Sequence, residues 1–151
     1  MAALVTPFTA AFSMMSLLVP LFAISAGASS STVGLLVAMK SLVPMLLALA
    51  VGRLVDAVGG RGPTLVSIAL IAVAVALLAA SPSLNLLFVV QAVLGTSHLV
   101  FIVATQKLVS LLGQGVAGER NFGWYATFQS GGQLAGPLLA GALLDLAGFG
   151  P

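Results

Sequence analysis

The stretch Gly52-Arg53-Leu54-Val55-Asp56-Ala57-Val58-Gly59-Gly60-Arg61 decides the reading of this chain. It holds three charged residues, and Lys40 is the only other one before residue 100. Apolar segments flank it on both sides. Charge in a Gly-rich turn between two apolar helices predicts a short cytoplasmic hairpin of a polytopic membrane protein.

Composition points the same way. The chain is 60% hydrophobic and 5% charged, whereas a soluble domain carries about 25% charged residues. Five basic and three acidic side chains cannot keep 151 residues in water, so the chain belongs to the membrane class. Cysteine is absent, which excludes disulfides and thiolate metal sites. The net charge of +2 is too small to argue for nucleic acid. Residues 1–39 carry no charge, so the basic start of a signal peptide is missing.

A spanning helix needs about 20 mostly apolar residues. Five segments are expected to qualify, over about 7–27, 33–51, 63–80, 84–105 and 121–147. Ala28 to Thr32 breaks the first from the second, and the charged stretch ends the second. Ser81-Pro82-Ser83 forms the third turn, and Gln106 to Arg120 a longer link. Arg53, Arg61, Lys107 and Arg120 fall in the second and fourth connections; the first and third carry no Lys or Arg. Basic residues stay on the cytoplasmic side, so the N-terminus is expected inside. The fold class is an all-α membrane protein with about five transmembrane helices.

Polar groups inside a bilayer are costly and face a partner or a cavity. Helix 1 carries Thr9, Ser13 and Ser16, each able to bond the preceding turn's carbonyl and nothing else. Helix 4 carries Gln91 and His98, seven residues apart and so on one face, with Gly95 between. Helix 5 places Tyr125, Gln129, Gly132, Gln133, Gly136 and Ala140 within one arc. Helix 3 is aliphatic beyond Thr64 and Ser67. Helix 3 therefore reads as lipid-facing, and helices 1, 2, 4 and 5 as sharing a polar interior. Gln91, Gln129 and Gln133 serve equally as interhelical glue or as uncharged cavity ligands. His98 reads as a packing residue or a proton-responsive group.

Lys40 is the sharpest case. It lies about 18 Å before Gly52 and about 12 Å from the other end of helix 2, at 1.5 Å per residue. An intramembrane cation is a functional-site candidate unless it snorkels. Either it pairs with an anionic substrate, a residue beyond Pro151, or Asp145 near the outer end of helix 5, or it stands neutral in the bilayer.

The stretch from Gly52 to Arg61 resembles motif A of the major facilitator superfamily, G-x-L-[AS]-D-[RK]-x-G-R-[RK]. Gly52, Leu54, Asp56, Gly59 and Arg61 match, while Ala57 and Gly60 stand where cations are usual. The resemblance implies a gating loop whose Asp latches against a helix of the second half. Gly123, Gly132, Gly136-Pro137 and Ala140-Gly141 resemble motif C, G-x8-G-x3-G-P-x2-G-G, with Ala140 for one Gly. That motif implies a hinge typical of drug:proton antiporters. Gln91 stands where many proton-coupled members carry Arg before x-x-x-Gly, here Gly95.

The superfamily builds a transporter from two six-helix halves with the substrate between them. The resemblance thus implies the N-terminal portion of such a fold: residues 1–151 as an incomplete half, one helix short. The expected function is transport of a small molecule by alternating access, as secondary active efflux, with Lys40, Gln91, His98, Gln129 and Gln133 lining the path. The expected partners are the bilayer, the substrate, and the missing helices or a complementing chain. The alternative is a truncated, non-transporting protein or a small membrane subunit. No cofactor or metal is expected, proton coupling is left open, and no catalytic constellation argues for an enzyme.

Overall fold

A lipid-exposed backbone has to satisfy its own N–H and C=O groups, which leaves helices as the economical solution for apolar runs of this length. The computed structural model describes residues 2–80, 83–113 and 115–146, and no strand occurs among them. The helices are α1 (Ala2–Ser25), α2 (Ser30–Val58), α3 (Arg61–Ala80), α4 (Leu84–Ser110) and α5 (Val116–Leu146).

Four of them, α1 to α4, are long and apolar enough to cross a membrane, with mean hydropathies between 1.8 and 2.3. The fifth has 31 residues, or about 46 Å of helix, but Glu119, Arg120 and a run of Gly, Ser and Gln dilute its apolar character. The outward surface is apolar. Leu46 and Leu49 of α2 are 74% and 78% exposed, and Leu134 and Leu138 of α5 are 70% and 68%. A contiguous apolar surface of this kind is not tolerated in water.

Helix α4 is the centre of the bundle. It packs on α1, α2, α3 and α5 and buries eleven residues, from Leu87 to Val109. Helix α3 contacts it through Thr64, Ser67, Ile71 and Ala74, all buried, and exposes Leu65, Val66, Val73 and Leu77. The Thr64 and Ser67 hydroxyls donate to their own helix, at Gly60 O (2.7 Å) and Thr64 O (2.7 Å). The most extensive helix pair is α1 on α5.

The helix ends differ from the sequence expectation in several places, beginning with α1, which starts at Ala2 rather than near Pro7. The charged stretch is not a loop: α2 continues through Gly52, Arg53, Leu54 and Asp56 to Val58. Val51 and Val55 bury against Val100 and Ala104 of α4, which outweighs the ~1 kcal/mol cost of Gly52 within a helix. Only Gly59 and Gly60 remain between α2 and α3. Gly59, with φ 80, caps α2 by donating its N–H to Val55 O, a backbone conformation that glycine alone adopts without cost. The expected long link is also mostly helix, since α4 runs on to Ser110 and α5 starts at Val116. Glu119 sits in the first turn of α5, where an acid suits the helix dipole. At the start of α2, Ser29 accepts the Thr32 N–H at 3.2 Å, so the break lies just before Ser30.

Candidate functional site

The bundle gathers its polar and aromatic groups at three places. The first lies mid-bundle, where α1, α2 and α4 meet. Phe8 and Phe12 are one turn apart on α1 and interleave with His98 and Phe101 of α4. The Phe12 and His98 rings are parallel within 3°, with centroids 3.7 Å apart; Phe8 and Phe101 stack at the same distance. Lys40 of α2 holds its Nζ over the Phe12 ring, 5.6 Å from the centroid. An ammonium over an aromatic face gains about 0.5–1 kcal/mol where water reaches it and more as it is desolvated. Cβ-less Gly95 lets α4 close onto the Lys40 carbonyl and the Pro44 ring; any side chain there would collide with both.

Gln91 lies one turn before Gly95. It is fully buried, and neither amide atom has a hydrogen-bond partner among the described residues. The His98 Nδ1, Ser97 Oγ and Ser16 Oγ are buried and unpartnered in the same way. An unpaired buried polar group costs about 1–3 kcal/mol, so this is the most polar-strained part of the bundle.

The second place is the α1–α5 contact. A Cβ at Gly132 would collide with the Thr9 hydroxyl and the Thr6 carbonyl. One at Gly136 would meet Ala10 O at 2.6 Å and Met14 N at 2.8 Å. Pro137 lacks an N–H and so leaves the carbonyl four residues earlier, that of Gln133, without its helical donor. The Ser13 hydroxyl donates to that carbonyl at 2.9 Å. Thr9 instead bonds Val5 O within its own helix, at 2.8 Å.

The third place is the charged end. Lys107 of α4 donates to Asp56 Oδ1 at 2.9 Å, the one ion pair among the described residues. Gly60 seats the α2–α3 turn against Ala104 O and Leu108, where no side chain fits. Nearby, the Thr105 hydroxyl donates to Phe101 O at 2.6 Å, which leaves the Tyr125 hydroxyl to donate to Thr105 at 3.0 Å. Open depressions of about 790 Å³ and 170 Å³ lie at this end, the larger bordered by Gly60, Arg61 and Leu108, the smaller by Asn121 and Tyr125.

The five residues expected to line a path fall into two groups. Lys40, Gln91 and His98 converge around Phe12 and Gly95. Gln129 and Gln133 lie on α5, half-buried and exposed respectively, beside the α1 contact. None of the five borders the two depressions. Lys40 makes no ion pair with Asp145 among the described residues. Asp56 finds its cation within this chain, on α4. Of the motif C glycines, only Gly132 and Gly136 are at a close approach; Gly123 and Gly141 face open space. Phe12 is a member that the sequence reading passed over, Ser13 bonds α5 rather than the preceding turn of its own helix, and Lys107 lies within α4 and pairs with Asp56 rather than standing in a loop. Pro137 is the signal that points to a hydroxyl partner, and Lys107, the lone Lys of helix 4, the one that points to Asp56.

Membrane-length helices, buried polar groups at their contacts and a charged turn at one end define a multi-helix integral membrane protein. The chain belongs to the major facilitator superfamily: the model of the Major Facilitator Superfamily matches residues 1–150. It is also similar to the tetracycline resistance protein, class G, of Vibrio anguillarum, with 30% identity over 118 residues. That alignment covers 78% of this chain, and the chain spans 30% of the length of the relative.

Proposed function

We propose that these five helices work as the N-terminal part of a small-molecule exporter that operates by alternating access. The observation that carries the reading is the α1–α5 contact: two glycines at backbone contact, next to a proline whose freed carbonyl is held by Ser13. Such an interface combines close packing with a break in the helical ladder, where a helix bends with least loss. The similarity to a resistance protein supports outward export.

In this reading the end that carries Arg53, Arg61, Lys107 and Arg120 faces the cytoplasm, in accord with the bias of basic residues. The Asp56–Lys107 pair and the Gly59–Gly60 turn form the inner gate. The glycine and proline positions of α5 form the hinge, and Lys40, Gln91, His98, Gln129 and Gln133 border the path. The carrier scheme needs no cofactor.

Flux through the purified native protein in liposomes tests this, with tetracycline as the first probe and a pH gradient imposed in one arm. Saturable flux is expected, and it is expected to vanish in Gln129→Leu/Gln133→Leu while the protein still reaches the membrane. Unchanged flux in that variant removes both residues from the path. Absence of flux for tetracycline and for a panel of other amphiphilic drugs overturns the exporter reading and favours a non-transporting membrane subunit.

A further inference from the structure

The cluster of Lys40, Phe12 and His98 carries information about charge. Among the described residues, Lys40 is the only charged one of the mid-bundle. The acids of the described residues lie elsewhere: Asp56 and Glu119 at the charged end, Asp145 exposed near the end of α5. The elements packed against Lys40 are α1 and α4. Helix α1 offers no charged group at all, and α4 offers only Lys107, already paired. Among the described residues, the ammonium is therefore held by an aromatic face rather than by a carboxylate. Phe12 in turn is backed by His98 at 3.7 Å.

That arrangement keeps a positive charge available. A cation paired with an acid presents a neutral pair to a ligand. A cation over a ring keeps its field, because the ring quadrupole holds the ammonium without neutralising it. Lys40 is half-buried, so one side of the group stays accessible, and in low dielectric its attraction for an anion is much stronger than in water. The opposite ligand charge meets repulsion there, with no acid of the described residues nearby to relieve it. Gln91 adds a second feature. Its two amide hydrogens, buried and unpartnered, lie one turn from the Gly95 contact with Lys40 and suit a carboxylate oxygen.

We propose that the mid-bundle site selects organic anions, of the aromatic carboxylate class, with the carboxylate on Lys40 and the ring alongside the Phe12–His98 stack. The proposal rests on the transport reading for its purpose, but its chemistry is a binding preference that is measured without flux.

Three compounds of one shape and three charges test it: 1-naphthoate, 1-naphthamide and 1-naphthamidine in its cationic form. Each is titrated by equilibrium dialysis against the native protein in nanodiscs. Saturable 1-naphthoate binding is expected, at least about tenfold tighter than either analogue, which corresponds to ~1.4 kcal/mol. Lys40→Gln and Lys40→Met are expected to erase that preference and Lys40→Arg to keep it. A wild-type protein that prefers the amide or the amidinium, or binds none of the three, overturns the proposal without recourse to any variant. So does a preference that survives Lys40→Gln, which places the anion site on other residues. Failure of the transport reading looks different: a compound that binds saturably and is never moved across the bilayer.

Discussion

The hydroxyl of Ser13 on α1 donates to the backbone carbonyl of Gln133 on α5, at 2.9 Å. Pro137 is the reason the carbonyl is available, because it removes the N–H that would otherwise fill it. One helix thus repairs a break in the ladder of another. Ser13 and Pro137 are thus linked through a backbone atom. The expected signature is non-additivity. Ser13→Ala leaves a carbonyl unpaired and lowers stability by about 1 kcal/mol. In a Pro137→Ala background the carbonyl regains its own helical donor, so the same change is expected to cost little. Thermal unfolding of the four proteins in one detergent gives the coupling, expected at ~0.5–1 kcal/mol. Additive effects would mean that Pro137 is not what gives the Ser13 hydrogen bond its value.

The glycines of α5 separate into two kinds. A methyl group at Gly136 meets the α1 backbone at Ala10 O and Met14 N, and one at Gly132 meets Thr6 O and the Thr9 hydroxyl. Backbone cannot step aside as a side chain can, so α1 and α5 have to separate. Gly123 and Gly141 have nothing within 4 Å. Gly136→Ala is expected to lower the thermal midpoint clearly, by about 1–3 kcal/mol equivalent as for other overpacked contacts. Gly123→Ala is expected to be neutral or slightly stabilising, by up to ~1 kcal/mol, since alanine is the better helix former. Equal effects at both positions would remove the distinction.

The chemistry of the charged end was legible in the sequence, but its geometry was not. Arg53, Asp56 and Arg61 between apolar runs announced a helix hairpin at a membrane surface. That the hairpin is a two-residue turn, with Gly52 inside a helix, depends on Val51 and Val55 finding Val100 and Ala104 of α4, a contact across about fifty residues that no local pattern reports. The same holds for Asp56 and Lys107, which meet only because α2 and α4 run side by side in one register. The periodicity of α5 put Tyr125, Gln129, Gly132, Gln133, Gly136 and Ala140 within one arc; Tyr125, Gly132, Gly136 and Ala140 are buried, whereas Gln129 is half-buried and Gln133 exposed. It could not tell which of the motif's glycines touch a neighbour. Gln91 and His98 do share a side of α4, yet α1 packs at His98 while Gly95, one turn from Gln91, packs on α2, because the centre helix is straddled by both neighbours.

The Asp56–Lys107 pair is exposed: the Asp56 side chain is 71% accessible and that of Lys107 37%. Exposed ion pairs contribute no more than about 1 kcal/mol. Asp56→Asn is therefore expected to leave the thermal midpoint nearly unchanged while it alters the balance between inner-gate conformations. Cysteine labelling at Gly62, next to the turn, reads that balance. Labelling is expected to rise in Asp56→Asn and in Lys107→Gln, and to fall back toward wild type in the charge-swapped pair Asp56→Lys/Lys107→Asp. High salt is expected to act like the single variants, since the Debye length shrinks to ~3 Å at 1 M. A large loss of stability in either single variant would make the pair a structural support instead.

Gln91 offers the sharpest separation of packing from function. A residue that glues helices together loses stability when its amide is removed. Gln91 is fully buried with neither amide atom partnered among the described residues, so its burial carries a desolvation penalty and no compensating bond within the bundle. Replacing such a group by an apolar one of similar size is neutral or favourable. Gln91→Leu is expected to hold or raise the thermal midpoint, by as much as ~1–2 kcal/mol equivalent, and at the same time to weaken 1-naphthoate binding several-fold. The two readouts move in opposite directions only if the amide is kept for a ligand. A lowered midpoint with unchanged binding would return Gln91 to the role of interhelical glue, with Lys40 left as the sole polar anchor of the mid-bundle site.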